Sequence, residues 1–156
     1  MKIIGINAFH ADSSACILVD GKLIAAVEEE RFNRIKHWAG FPIESIKYCL
    51  EETNLTISDI DQISINIDPK ANYLEKFIFL IRHRPSFNLV LNRFKKKKKY
   101  NSINEIINKE FKEDKFKGKI NNVEHHYAHL SSAFHVSPFE EASLLSVDGF
   151  GDFAST

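Results

Sequence analysis

The pair Asp20-Gly21, set between two short β-rich runs, narrows the fold more than any other feature of the chain. Asp-Gly in that position is a strong two-residue hairpin signal, because both residues tolerate the positive φ such a turn requires. Ala15 to Val19 then reads as a strand and Leu23 to Val27 as its returning partner. Lys2 to Ala8 is a third β-rich run ahead of them, joined through the polar, small-residue loop Phe9 to Ser13. Three strands in such close succession predict an antiparallel meander at the N-terminus.

Helical signals follow. Pro42 suits a first helical turn, and Ile43, Ile46, Tyr48, Cys49 and Leu50 keep a mostly helical spacing to about Thr53. Ser58-Asp59-Ile60 opens a connector, and Gln62 to Ile67 alternates as a strand stopped by Asp68-Pro69. Residues 71–117 differ in composition. Leu74, Phe77, Ile78 and Ile81 fit one helix, broken by Pro85. Leu89 to Phe94 is apolar, Lys95 to Lys99 is an unbroken basic run, and Ile103, Ile106, Ile107 and Phe111 fit another helix. This stretch reads as a helical insertion between sheet elements. Lys119 to Val123 is the next expected strand, and a histidine-bearing helix stopped by Ser137-Pro138 comes after it. Leu144 to Val147 reads as a final buried strand with Asp148 at its C-terminal end. The expected class is α/β with a mixed sheet.

The bulk properties suit that class. With 156 residues, 44% hydrophobic and 27% charged, the chain can build one soluble domain with a real core. Lys+Arg and Asp+Glu balance at 21 each, so no global charge draws it to nucleic acid or to an anionic membrane, and neither is expected as a partner. Cys16 and Cys49 each sit in an apolar run and read as reduced, buried thiols. Ile3 to Ile6 already reads as a strand, which leaves no signal peptide, and no apolar run is long enough to span a bilayer. A cytoplasmic location is expected. The strand at Leu144 to Val147, the glycine-rich turn Gly149 to Asp152 and the first residues of a returning strand, Phe153 to Thr156, would make half a hairpin with an open edge. They are expected to begin something larger or to pair with a partner, a homodimer through that edge included.

Chemistry concentrates in His125-His126-Tyr127-Ala128-His129. On a helix His125 and His129 project from one face, and two imidazoles on adjacent turns can hold a divalent metal. Asp148 would complete a two-histidine, one-carboxylate set with positions open to substrate. Imidazole and carboxylate accept Fe2+, Zn2+ or Mn2+ alike. By helical angle Ser132 joins the histidine stripe, and Tyr127, Leu130 and Phe134 form the opposite stripe, expected to pack. His126 points elsewhere, as a supporting or structural residue. Two surface histidines on an amphipathic helix is the competing reading. Gly149 and Gly151 would let backbone N–H groups approach a phosphate, although a plain turn is the commoner meaning. In the first loop Asp12 and Ser13 could line a phosphate and His10 could act as a general base, against a simple polar turn. Arg31, with Arg34 and Lys36, could grip a phosphate or carboxylate, against a solvated ion-pair face. The lysine run is a solvated loop or an anion patch.

Taken together these segments resemble the carbamoyltransferase family of antibiotic biosynthesis and nodulation-factor modification. The matching stretches are Gly5 through Ala15, Val27-Glu28-Glu29-Glu30-Arg31-Phe32, Lys36-His37 with Phe41-Pro42, His125 through Phe134, and Ser137 through Ala142 into Val147-Asp148-Gly149. The resemblance implies an actin-like (ASKHA) ATPase fold of two ribonuclease-H-like lobes. Residues 1–142 would supply the first lobe, with its helical insertion at about 71–117, and 143–156 the incomplete start of the second. It implies transfer of a carbamoyl group from carbamoyl phosphate, through an ATP-derived carbamoyl-adenylate, to a hydroxyl of a small-molecule acceptor. It also implies His125, His129 and Asp148 as metal ligands, with Fe2+ first among the metals, and His10 as the residue assisting the acceptor hydroxyl. Family members are several times longer, so these residues are expected to be part of a larger enzyme and inactive alone. A tRNA threonylcarbamoyl-transfer-like enzyme is the second expectation, and a non-catalytic remnant that binds nucleotide or a partner is the third.

Overall fold

The computed structural model describes residues 1–83, 103–149, 152 and 154. The chain forms two compact units, Met1–Ile65 with Ser102–Asn121, and Asn66–Asn101 with Asn122–Thr156. Pro85, the apolar run 89–94, the lysine run 95–99 and Gly151 lie outside the described residues.

The first unit is built on a sheet of β1 (Lys2–Asn7), β2 (Ser14–Val19), β3 (Lys22–Glu28), β4 (Gln62–Ile65) and β5 (Lys119–Asn122). Their order is β3-β2-β1-β4-β5. The expected meander is present: β1 pairs antiparallel with β2, and β2 with β3. Asp20 and Gly21 take φ of 50° and 80°, the left-handed pair that turns one strand tightly into the next. β4 then runs parallel to β1, so the sheet is mixed.

Register explains the core. Ile4 stands opposite Ile17 on one side and Ile63 on the other, and Ile6 stands between Ala15 and Ile65. A two-residue period puts all six on one face, and all are buried. Burying each isoleucine is worth roughly 1.5–3 kcal/mol. Gly5 occupies the opposite face, where a Cβ would come within 2.9 Å of Cys16 Sγ. β4 stops at Ile65, two residues short of the expected Ile67, because its ladder with β1 ends at the Ile6 pair. At the other edge Gly118 passes so close to the Ile60 and Asp61 carbonyls that a Cβ would stand 2.5 Å from each.

α1 (Glu30–Asn33) is a single turn, and α2 (Ile43–Thr53) packs Ile46, Cys49 and Leu50 inward against β2 and β3. Pro42 precedes its first residue and Asn54, at φ 51°, ends it. The start of α2 is fixed by Glu29, a buried carboxyl at the end of β3. It accepts hydrogen bonds from the backbone N–H of Glu44 (3.2 Å) and Ser45 (2.8 Å) and from Ser45 Oγ (2.8 Å). These are donors a helix cannot satisfy within itself. α4 (Ile103–Glu110) buries Ile103 and Ile107 in the same unit. Cys49 is fully buried and burial pushes its thiol up to about 12, whereas Cys16 is half-buried; both are free thiols.

The second unit holds α3 (Tyr73–His83) and α5 (His125–Phe134). α3 forms where its apolar spacing predicts, yet Leu74, Phe77, Ile78 and Ile81 are exposed. α3 and α4, expected together in one insertion, fall in different units. The expected buried strand at Leu144 to Val147 is not there. The segment joins no ladder, and Leu145 and Val147 are 82% and 74% exposed. Its apolar run mimics a core strand, but a strand needs a neighbour to receive its backbone groups. Among the described residues no helix is long and apolar enough to cross a membrane.

Replacing Glu29 with Ala strands the N–H groups at the start of α2. The loss expected in urea unfolding is about 1.5–3 kcal/mol. An unchanged midpoint would remove Glu29 as the residue that caps α2.

Candidate metal centre

α5 begins at His125 because the chain ahead of it supplies caps. Glu124 accepts the Tyr127 N–H at 2.8 Å, and Asp152 accepts the His125 N–H at 2.9 Å. The same Asp152 oxygen takes the Asp68 N–H at 2.8 Å, and Asn72 Nδ2 donates to the Asp152 carbonyl at 2.9 Å. A carboxylate at a helix N-terminus also suits the helix dipole.

One turn then carries His125 to His129. Their Nε2 atoms lie 3.2 Å apart. Asp148 Oδ2 lies 2.6 Å from His125 Nε2 and 3.9 Å from His129 Nε2. Three donor atoms thus converge within one ion's reach. Metal bonds of about 2.1 Å place neighbouring donors about 3.0 Å apart in an octahedron and about 3.4 Å in a tetrahedron, values the observed triangle brackets. The donor set, two imidazole nitrogens and one carboxylate oxygen, fits a divalent transition metal. Asp148 is held below the usual carboxylate range, first by His125 and then by the Gly149 N–H at 2.6 Å, so it stays ionised. His125 is buried, but His129 and Asp148 reach solvent, which leaves one side of the triangle open.

Burial on α5 departs from the expected pattern at its first turn, although Leu130 and Phe134 are half-buried and His129 and Ser132 exposed, as expected. Tyr127, assigned to the packed stripe, is exposed, and His125 and His126 are buried. The cause is the 144–148 segment, which runs along the histidine side: Asp148 meets His125, and Ser146 Oγ meets His126 Nδ1 at 2.9 Å. Ser132 turns its hydroxyl back to the His129 carbonyl at 2.7 Å.

The remaining candidates belong to the first unit, except Gly151, which lies outside the described residues, and Gly149, which has nothing within 4 Å of where a Cβ would stand. The loop after β1 is drawn tight by Asn7 Nδ2, which donates to the Ala11 and Asp12 carbonyls at 3.0 Å each. Phe9 and Asp12 take φ near 60° there. Ser13, expected beside a phosphate, is buried, and its hydroxyl lies 2.8 Å from the Gly40 carbonyl and 3.1 Å from that of His10. It braces the loop instead. His10 is exposed on the same loop. Asp12 Oδ1 lies 2.9 Å from His37 Nδ1, a pairing that no spacing in the sequence announces. Arg31 is exposed, with Nη2 3.8 Å from Glu30 Oε1. Sequence reasoning also missed Glu29, Asp152 and the His126–Ser146 bond.

The model of the family described as carbamoyltransferase N-terminus matches residues 2–156. The Synechocystis sp. protein sll1178 is 36% identical over 163 aligned positions, covering 99% of this chain and 26% of that protein. Nodulation protein NolNO of Sinorhizobium fredii is 38% identical over 150 positions, covering 96% of this chain and 21% of its own. The chain therefore spans about a quarter of the length of these relatives. Among solved structures, YeaZ from Pseudomonas aeruginosa aligns with 46% of the chain and 32% of its own at 13% identity, with a TM-score of 0.32, too partial a likeness to define a fold.

The Asp12 carboxylate raises the pKa of His37 above its ordinary 6.5. Protonated His37 is favoured in the fold, so the pairing's contribution is complete below the ordinary value and is lost as pH rises through the raised one. An NMR titration should place the His37 midpoint above 6.5, and Asp12→Asn should return it toward that value. A midpoint that Asp12→Asn does not move would dissolve the pairing.

Proposed function

The chain belongs to the carbamoyltransferase N-terminus family, and on that premise we propose that it supplies the metal-bearing part of an enzyme that moves a carbamoyl group from carbamoyl phosphate, through an ATP-derived carbamoyl-adenylate, to a hydroxyl of a small-molecule acceptor. The observation that carries the reading is the convergence of His125, His129 and Asp148. The sheet order β3-β2-β1-β4-β5, a meander followed by a parallel strand, supports a ribonuclease-H-like lobe within an actin-like fold. In that reading residues 1–142 build the first lobe and 143–156 begin the second.

The roles follow from the residue types. His125, His129 and Asp148 hold a divalent metal, Fe2+ before Zn2+ or Mn2+. When bound, that metal supplies positive charge against the phosphate of the adenylate and polarises the reacting group. Asp148 enters as an ionised ligand because His125 and the Gly149 N–H already hold its carboxyl in that form. Gly149 leaves room for a phosphate to approach the backbone. His10, exposed on its braced loop, accepts the proton of the acceptor hydroxyl. Arg31, equally exposed, takes the role of drawing in an anionic group. Asp12 orients His37, and Ser13 keeps the loop carrying His10 in shape.

His125→Ala or His129→Ala should each lower the divalent metal that the chain retains, read by elemental analysis after gel filtration. Unchanged metal content in both variants would remove the site. In the longer enzyme, His10→Asn should cut carbamoyl transfer by about 10²–10⁴-fold with metal content intact. Full transfer in that variant would discard His10 as the base.

A further inference from the structure

We infer that the hydrogen bond between His126 and Ser146 is the strut that sets Asp148 against His125 and His129, making these two the positioning residues of the metal centre. The inference deepens the proposed metal site and rests on it. Residues 142–148 carry no bend or turn and join no ladder, so no strand neighbour fixes the distance from Asp148 to α5. Side-chain bonds must do so. Two side-chain hydrogen bonds run from this segment to α5 among the described residues, His125 to Asp148 and His126 to Ser146, with His129 Nε2 3.9 Å from Asp148; four residues past Asp148, Asp152 accepts the His125 N–H.

Metal binding removes the first. The 2.6 Å contact between His125 Nε2 and Asp148 Oδ2 needs a proton between the atoms. A metal-bound imidazole must instead turn a bare Nε2 lone pair to the ion. The donors would then be held through the ion, and the strut would be the remaining side-chain hydrogen bond between residues 142–148 and α5 among the described residues. Its position suits the task. His126 follows the ligand His125 directly, and their rings meet edge-on with centroids 5.6 Å apart. Ser146 precedes Asp148 by two residues, which in an unbent extended segment puts both side chains on one side. His126 is only 6% exposed, so water competes poorly for the bond.

Packing alone does not account for an imidazole at this position. His126 Nε2 is buried without a hydrogen-bond partner among the described residues. A buried unpartnered polar atom is costly, and an apolar side chain of similar volume would avoid that cost. The residue is explained by what Nδ1 does.

The test is Zn2+ affinity of the whole 156-residue chain, measured by competition with a chromophoric chelator, with the apo urea midpoint read beside it. Ser146→Ala and His126→Leu should each weaken Zn2+ by about 10–100-fold, the usual effect of removing a group that orients a ligand. Ser146→Thr, which keeps the hydroxyl, should hold wild-type affinity, as should His135→Ala at the exposed end of α5. Wild-type affinity in Ser146→Ala overturns the strut, and so does an equal loss in Ser146→Ala and Ser146→Thr. A wild-type chain that binds no Zn2+ overturns the metal reading and the strut with it, a result distinct from either of those.

Discussion

Two imidazoles can meet at one point only if the first turn of their helix is held still. His125 is the first residue of α5, where backbone N–H groups have no acceptor within the helix and the end tends to fray. Asp152 takes that residue's own N–H at 2.9 Å, and Glu124 takes the Tyr127 N–H at 2.8 Å. Because Asp152 also binds the Asp68 N–H, the helix start is tied to the turn before α3 as well. The ring of His125 is then gripped from its other end by Asp148. A flexible surface pair of histidines would have none of these restraints, and its nitrogens would have no reason to stand 3.2 Å apart.

The first unit shows the same division of labour on a different site. The isoleucine rows across β2, β1 and β4 supply the apolar burial that makes the sheet form. They do not decide where α2 begins or how the loop after β1 is shaped. Those are set by single polar groups: Glu29 on the N–H groups of α2, Ser13 on the Gly40 carbonyl, Asn7 on the loop backbone. A neutral hydrogen bond nets about 0.5–1.5 kcal/mol and one to a charged group about 1.5–3 kcal/mol, at most similar to one buried isoleucine, so these bonds can select a conformation without driving the collapse. The exposed His10 and the Asp12–His37 pair ride on the loops so fixed.

Local patterns were legible in the sequence. Asp20-Gly21 gives the turn, the β-rich runs give the meander, and the four-residue spacing gives the histidine stripe. Long-range partners were not. Asp12 and His37 are 25 residues apart, and His126 and Ser146 are 20 apart, with no period connecting them. The run Leu144 to Val147 misled for a physical reason: an apolar stretch signals burial only if something covers it, and here a histidine face takes one side while Leu145 and Val147 face water. For the same reason Tyr127 stands exposed where an aromatic stripe predicts packing. Of the candidate ligands, His125 and His129 needed only helical spacing, whereas Asp148, 23 residues from His125, was expected from the Asp-Gly that follows an apolar run and from the family resemblance; the three donor atoms do come together.

The most direct test of this convergence is X-ray absorption at the zinc edge of the Zn2+-loaded chain. Two imidazoles and a carboxylate on one ion should give two histidine ring-scattering contributions and a first shell of nitrogen and oxygen at about 2.0–2.2 Å. A shell with one imidazole or none would contradict the account.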